Sequence, residues 1–204
     1  MRCAHFFSVL FVAGALAGCS STLKPAAVNT EGRFDTSSTV DASGQTIAGP
    51  FIPERHGKMA VVFTFTENNT VNDFFYQSIK NSKKFENVYN QSELEKYIIK
   101  HNIEGVTDTG SLLSMNKLAK IIGPFLVIKP YIEWKGGYDY IATLEVIDAE
   151  TTETVLKVEK KAFNWAGLDK PLFYPLFNAL IDWTEGRAPP PAPEPRTTGV
   201  KKKR

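Results

Sequence analysis

Cysteine is almost missing from this chain: two of 204 residues, Cys3 and Cys19, both inside the first 19 positions. Everything after residue 19 therefore has no thiol to cross-link, and any fold there rests on its core alone. Histidine is nearly as scarce, at three residues. No His/Cys spacing suits zinc, no glycine loop suits phosphate or a dinucleotide, and no G-x-S-x-G elbow presents a nucleophile. Charge of one sign is also lacking, since 24 basic residues face 22 acidic ones for a net +2, which is no polycation for a nucleic acid. With 43% hydrophobic and 23% charged residues, the composition excludes a disordered or fibrous chain.

Long apolar runs are absent except for one. Phe6 to Gly18 (FFSVLFVAGALAG) is a 13-residue stretch without charge, preceded by Arg2. A bilayer span needs roughly 20 apolar residues, so this run has signal-peptide proportions, with 1–18 as the leader. It ends in Leu16-Ala17-Gly18-Cys19, which resembles a bacterial lipobox. That resemblance implies acylation of the Cys19 thiol, cleavage before it and anchoring by several acyl chains, each buried CH₂ contributing about 0.8 kcal/mol. Ser20 after the cysteine resembles the outer-membrane sorting pattern of enterobacterial lipoproteins. The expected location is thus the outer membrane, lipid-anchored, with the domain facing the periplasm. An ordinary secretory signal that happens to hold a cysteine is the plainer reading.

From Ser20 to Gly57 the chain is rich in Ser, Thr, Ala, Gly and Pro with no sustained period. It reads as a flexible tether (19–57 with the lipidated cysteine) that buries too little to order itself. Short apolar pieces such as Phe51-Ile52 are candidates to dock on the domain. Residues 185–204 hold five of the twelve prolines and six basic against two acidic residues, net +4. This Pro-rich basic tail reads either as a solvated terminus or as a contact for an anionic envelope polymer or acidic partner.

Between these flanks, 58–184 carries the periodicities of one α+β interaction domain. Met59–Thr66 is a β-branched and aromatic strand run. Thr70 is placed to cap a helix with Val71, Phe74, Phe75, Ser78 and Ile79 on one side. Phe85–Tyr89 is a short strand, and Ser92 with Glu95 makes a capping box for a helix burying Leu94 and Ile98. A loop over Glu104–Gly110 leads to a helix with Leu112, Met115, Leu118, Ala119 and Ile122 in register, stopped by Gly123-Pro124. Phe125–Trp134 is a strand in which Pro130 asks for an edge or a bulge. Gly136-Gly137 turns it into the alternating strand Tyr138–Val146, and a third strand runs Thr152–Phe163. The last helix spans Lys170–Thr184 with Asp169 as cap, and Pro175 kinks it or delays its start. The order β-α-β-α-α-β-β-β-α predicts a mixed sheet ending in an antiparallel meander, with helices on one face.

Several local strings add a resemblance. Lys84-Phe85-Glu-Asn-Val88, the helix with Leu94 and Ile98, Leu118-Ala119-Lys-Ile-Ile-Gly123-Pro-Phe-Leu-Val127, and Tyr140 to Asp148 followed by Glu153-Thr154-Val155 resemble one group of domains. It comprises the curli-secretion channel lipoproteins, the lipoprotein activators of penicillin-binding proteins, the Pel polysaccharide export lipoprotein and the amino-terminal domain of the Tol system's propeller protein. The likeness covers about Met59 to Trp183 and consists of apolar positions, with no chemical signature. The curli-type channel adds long amphipathic strands, for which the connections here are too short.

Candidates for chemistry are few. His56 falls in the presumed tether, and His101 near a helix end reads as a C-terminal cation. Neither has a partner for catalysis or metal binding, so no catalytic, cofactor or metal site is expected, and the chain reads as non-enzymatic. Trp134, Tyr138, Tyr140 and Trp165, with Phe163, come from neighbouring strands and read either as a partner surface or as cover for the core under the last helix. The leading expectation is a periplasmic accessory or assembly subunit of an envelope export or secretion machine, with other envelope proteins as partners, homo-oligomerisation possible and no nucleic acid. The alternative is a tethered regulator that activates a peptidoglycan synthase. A long free tether favours the regulator, and a docked one favours an assembly held near the membrane.

Overall fold

The computed structural model describes residues 23–164 and 167–191. Six strands form one sheet in the order β1-β6-β5-β4-β2-β3. β2 (Met59–Val62) lies parallel to both β3 (Asn87–Asn90) and β4 (Leu126–Gly136). β4, β5 (Asp139–Asp148) and β6 (Thr154–Phe163) form the antiparallel meander, and β1 (Gln45–Ile47) pairs antiparallel to β6. The expected α+β class and element order hold over the domain. Pro130 also falls where an edge was asked for. β2 stops pairing at Val62–Ile128, so from Lys129 onward β4 is laddered only to β5, and a missing donor there costs little.

The helices start where local chemistry favours them, sometimes one or two residues from the expected position. α2 (Asn69–Asn81) is capped by Asn68, whose side chain accepts from the Thr70 and Val71 amides, rather than by Thr70. Asn ranks above Thr at this position. α3 (Gln91–Lys100) is capped by Asn90, which accepts from the Glu93 amide at 2.8 Å, so Ser92 and Glu95 lie inside the first turns and form no capping box. Ser111 caps α4 (Leu112–Ile122). At the carboxyl end a π turn over Asp169–Phe173 precedes α5 (Tyr174–Thr184). Pro175 thus delays the helix, taking a place where no amide donor is needed.

Two features correct the sequence reading. Helices cover both faces of the sheet, not one. Ala60, Val62, Leu126 and Ile128 face α2 and α5, with Phe74, Phe75, Phe173 and Phe177 in that layer. Met59, Val61, Phe63 and Val127 face α3 and α4, through Leu94, Ile98, Met115 and Leu118. The reason was visible: β2 is buried at every position, and a strand apolar on both sides needs cover on both.

The second correction concerns the tether. Its described part, 23–57, is a strap packed across the domain, not a free coil. Phe34 is 1% exposed and sits between the rings of Tyr174 and Phe177, at 5.5 and 5.3 Å. Asn178 clamps that residue's backbone, accepting from the Phe34 amide at 2.9 Å and donating to its carbonyl at 3.0 Å. Arg33 forms an ion pair with Asp182. β1 then adds an edge to the sheet, where Gly44 approaches the Glu159 carbonyl so closely that a Cβ would lie 2.6 Å from it. The beginning of the tail packs as well. Pro190 accepts from the Ala42 amide at 2.8 Å, and Arg187 pairs with Glu185 at 2.8 Å. Polar composition hid this docking because a few residues, Phe34 and Val40 above all, supply the burial.

Candidate functional site

Of the residues singled out in the sequence, Cys19 and Trp165 lie outside the described residues, as does the basic end of the tail. The remaining three sit at the far end of the β4–β5 hairpin. Trp134 pairs across the strands with Tyr140, so both point to the side that holds α5. Tyr140 is half-buried and packs on the core there, which favours cover for that residue. Trp134 is 63% exposed, and its indole Nε1 donates to the Gly137 carbonyl at 3.0 Å. The ring's polar edge is thus satisfied inside the turn while its faces meet solvent. Gly136 and Gly137 both have positive φ, at 109° and 57°, which only glycine adopts freely. Tyr138 is also exposed and its ring lies 5.4 Å from that of Phe163. Tyr131, three residues before Trp134 and on the opposite side of β4, is exposed too. Large aromatic rings therefore surround this end on both sides of the hairpin, an apolar surface of the kind that marks contact sites.

A second cluster was not legible in the sequence. α1 (Pro53–His56), one turn started by Pro53, brings Arg55 and His56 against Asp148 at the end of β5. His56 and Asp148 are each 3% exposed. The Asp148 carboxylate accepts from Arg55 Nε at 2.7 Å and from the Glu150 and Thr151 amides at 2.8 and 3.1 Å. It also lies 3.3 Å from His56 Nε2. Arg55 reaches Glu150 as well, at 2.7 Å. The other imidazole nitrogen, Nδ1, accepts from the Ile52 amide at 3.1 Å. An Nδ1 that accepts carries no proton, so His56 is neutral, with its single proton on Nε2 directed at Asp148. Burial holds the imidazole below its ordinary pKa despite the pull of Asp148. Burial also opposes ionisation of Asp148, but the Arg55 hydrogen bond and two turn amides outweigh it and keep the carboxyl below the usual range.

This cluster resembles an acid–base pair, yet both groups are closed to solvent and the histidine's two nitrogens are already committed. The arrangement fastens the strap to the β5–β6 turn. Phe51 completes it, its ring 5.3 Å from Trp183 and 5.7 Å from His56, so of the apolar Phe51-Ile52 piece the phenylalanine docks while Ile52 stays exposed. His101 caps the end of α3, its ring tilted against that of Tyr97 with centroids 4.4 Å apart.

No family profile and no curated protein sequence matches the chain. Among solved structures it is similar to the LpoB C-terminal domain from Salmonella enterica, at 11% identity over 58% of this chain and 88% of that one, with a TM-score of 0.35. It is also similar to a PelC dodecamer from Paraburkholderia phytofirmans, at 19% identity over 61% and 84%, with a TM-score of 0.35. A third is lipoprotein GNA1162 from Neisseria meningitidis, at 15% identity over 64% and 94%, with a TM-score of 0.36. LpoB and PelC belong to the group of lipoprotein domains that the strings around Phe85 and Gly123 resemble. Among the described residues no helix is long and apolar enough to cross a membrane.

Proposed function

We propose that this chain is a non-catalytic lipoprotein, held in the outer membrane by acyl chains on Cys19. In this reading its domain faces the periplasm and serves as an accessory subunit of an envelope export or secretion machine, working as a homo-oligomer. The observation that carries the choice is the docked strap. A free segment of 38 residues would reach about 125 Å, enough for a regulator to act far from its anchor. With 23–57 packed on the domain, only three residues lie between Cys19 and Leu23, and the four steps along the chain span at most about 14 Å. The domain is then a short-range subunit beside its own membrane. The exposed hairpin end supplies a contact surface, and the role of Cys19 follows from its position in the lipobox-like sequence.

Membrane fractionation of the wild-type protein and of Cys19→Ala tests the anchor. The wild type should band with outer membranes on a density gradient. The variant should leave the pellet while keeping its thermal midpoint. A variant that still pellets after a salt wash overturns the lipoprotein reading. Wild type that bands with the inner membrane overturns the location.

A further inference from the structure

Helix α4 has two apolar sides and only one is covered. Its inner side, Met115, Leu118 and Ala119, is buried against the sheet. Its outer side carries Leu113 and Ile121, 67% and 55% exposed, with exposed Lys117 and Lys120 between them. Leu113, Lys117 and Ile121 follow one another at four-residue spacing, a single row along the helix. The helix contains no acidic residue, and neither lysine has an acidic partner among the described residues. A surface helix normally turns one apolar stripe inward and a charged side outward, and one that is apolar on both sides is normally covered on both.

The hairpin end is the other surface in need of cover, with Trp134 at 63% and Tyr131 at 56% exposure. It carries groups that can receive the two lysines: aromatic faces that attract ammonium groups and the acidic Asp139, Glu133 being already paired with Lys135. The molecule cannot join its own two surfaces. α4 packs on Val127 near the start of β4, and Trp134 lies seven residues further along that strand, about 23 Å away.

We propose that copies of this chain assemble head to tail, with the aromatic hairpin end of one copy seated on the outer side of α4 of the next. Trp134 and Tyr138 cover Leu113 and Ile121, while Lys117 and Lys120 meet the ring faces and Asp139. Because the two patches differ, the contact is heterologous and repeats around a closed ring or along a filament. The proposal rests on the homo-oligomer in the function proposed above and names its interface.

Mixing two dead variants tests it. One carries Trp134→Ala with Tyr138→Ala, the other Leu113→Glu with Ile121→Glu, all in the chain from residue 19 onward with Cys19→Ala. Circular dichroism checks that each is folded, which the exposure of the altered side chains favours. Light scattering should give a multi-copy mass for the unaltered chain and monomers for each variant. An equimolar mixture should give a mass of two chains, since one intact interface remains. If the unaltered chain is an oligomer but either variant matches it, or the mixture stays monomeric, the interface is wrong and the homo-oligomer stands. If the unaltered chain is a monomer throughout a concentration series, both fall. If a monomeric chain instead binds anionic phosphatidylglycerol vesicles and the α4 variant does not, lipid covers α4 and the proposal is overturned.

Discussion

His56 is the residue on which the strap's attachment turns. Its Nδ1 faces the Ile52 amide, a donor, so adding a proton there sets two donors against each other and breaks the 3.1 Å contact. The groups around it are Arg55 on its own turn, Asp148 from β5, and the rings of Phe51 and Trp183. A histidine whose folded pKa is depressed binds its proton more readily when unfolded. Its contribution is therefore complete above its ordinary value of 6.5 and declines as pH falls below that. Asp148 acts in a lower window. Its depressed pKa stabilises the fold above its ordinary 3.8, and that share is lost as pH falls further. The thermal midpoint should thus drop between pH 7.5 and 5.5 in the wild type and stay level over that interval in His56→Gln. Equal slopes in the two proteins would show that some other group titrates. The caps offer a second residue-scale test. Asn68→Ala should cost about 1 kcal/mol in urea unfolding and Thr70→Ala much less, and the reverse order would restore Thr70 as the cap.

At the scale of elements, the parts with strong periodicity were legible and the parts held by single anchors were not. Helices α2 to α4 and the β4–β6 meander follow from apolar spacing, and Gly136-Gly137 marks the hairpin. The strap left little trace because β1 is three residues long and α1 four, too short for a period to show. The aromatic end was half legible. Trp134 and Tyr138 stand out as residue types, but alternation alone could not tell exposed Trp134 from its half-buried partner Tyr140. The Arg55–His56–Asp148 cluster was not legible, because Asp148 lies more than ninety positions from the other two. If the strap is an integral element, Phe34→Ala should lower the unfolding free energy by about 3–5 kcal/mol, the range for a buried phenylalanine. A loss below about 1 kcal/mol would return 23–57 to the status of a loose tether.

For the whole molecule, the described segments before and after the domain meet each other. The strap lies on α5 and β6, and Pro190 accepts from the strap's Ala42. A chain ending after Pro191 serves as the reference. Ending it after Gly186 removes the Arg187 ion pairs and the Pro190 acceptor. That should cost about 1–2 kcal/mol, or about 2–8 °C at this size. Equal midpoints for the two truncations would show that residues 187–191 bring no stability.

The same closure has a consequence for the order in which the protein is made. Phe34 emerges early in synthesis, but the residues that bury it, Tyr174 and Phe177, come about 140 positions later. At roughly 5–20 residues per second, the strap waits on the order of ten seconds for its seat. Contacts so distant in sequence also form slowly. The leader proposed for residues 1–18 would send the chain across a membrane while it is still extended. A fold that stays open until its last helix exists is well matched to that passage, because the domain takes shape only once Tyr174–Thr184, near the end of the 204 residues, has been delivered.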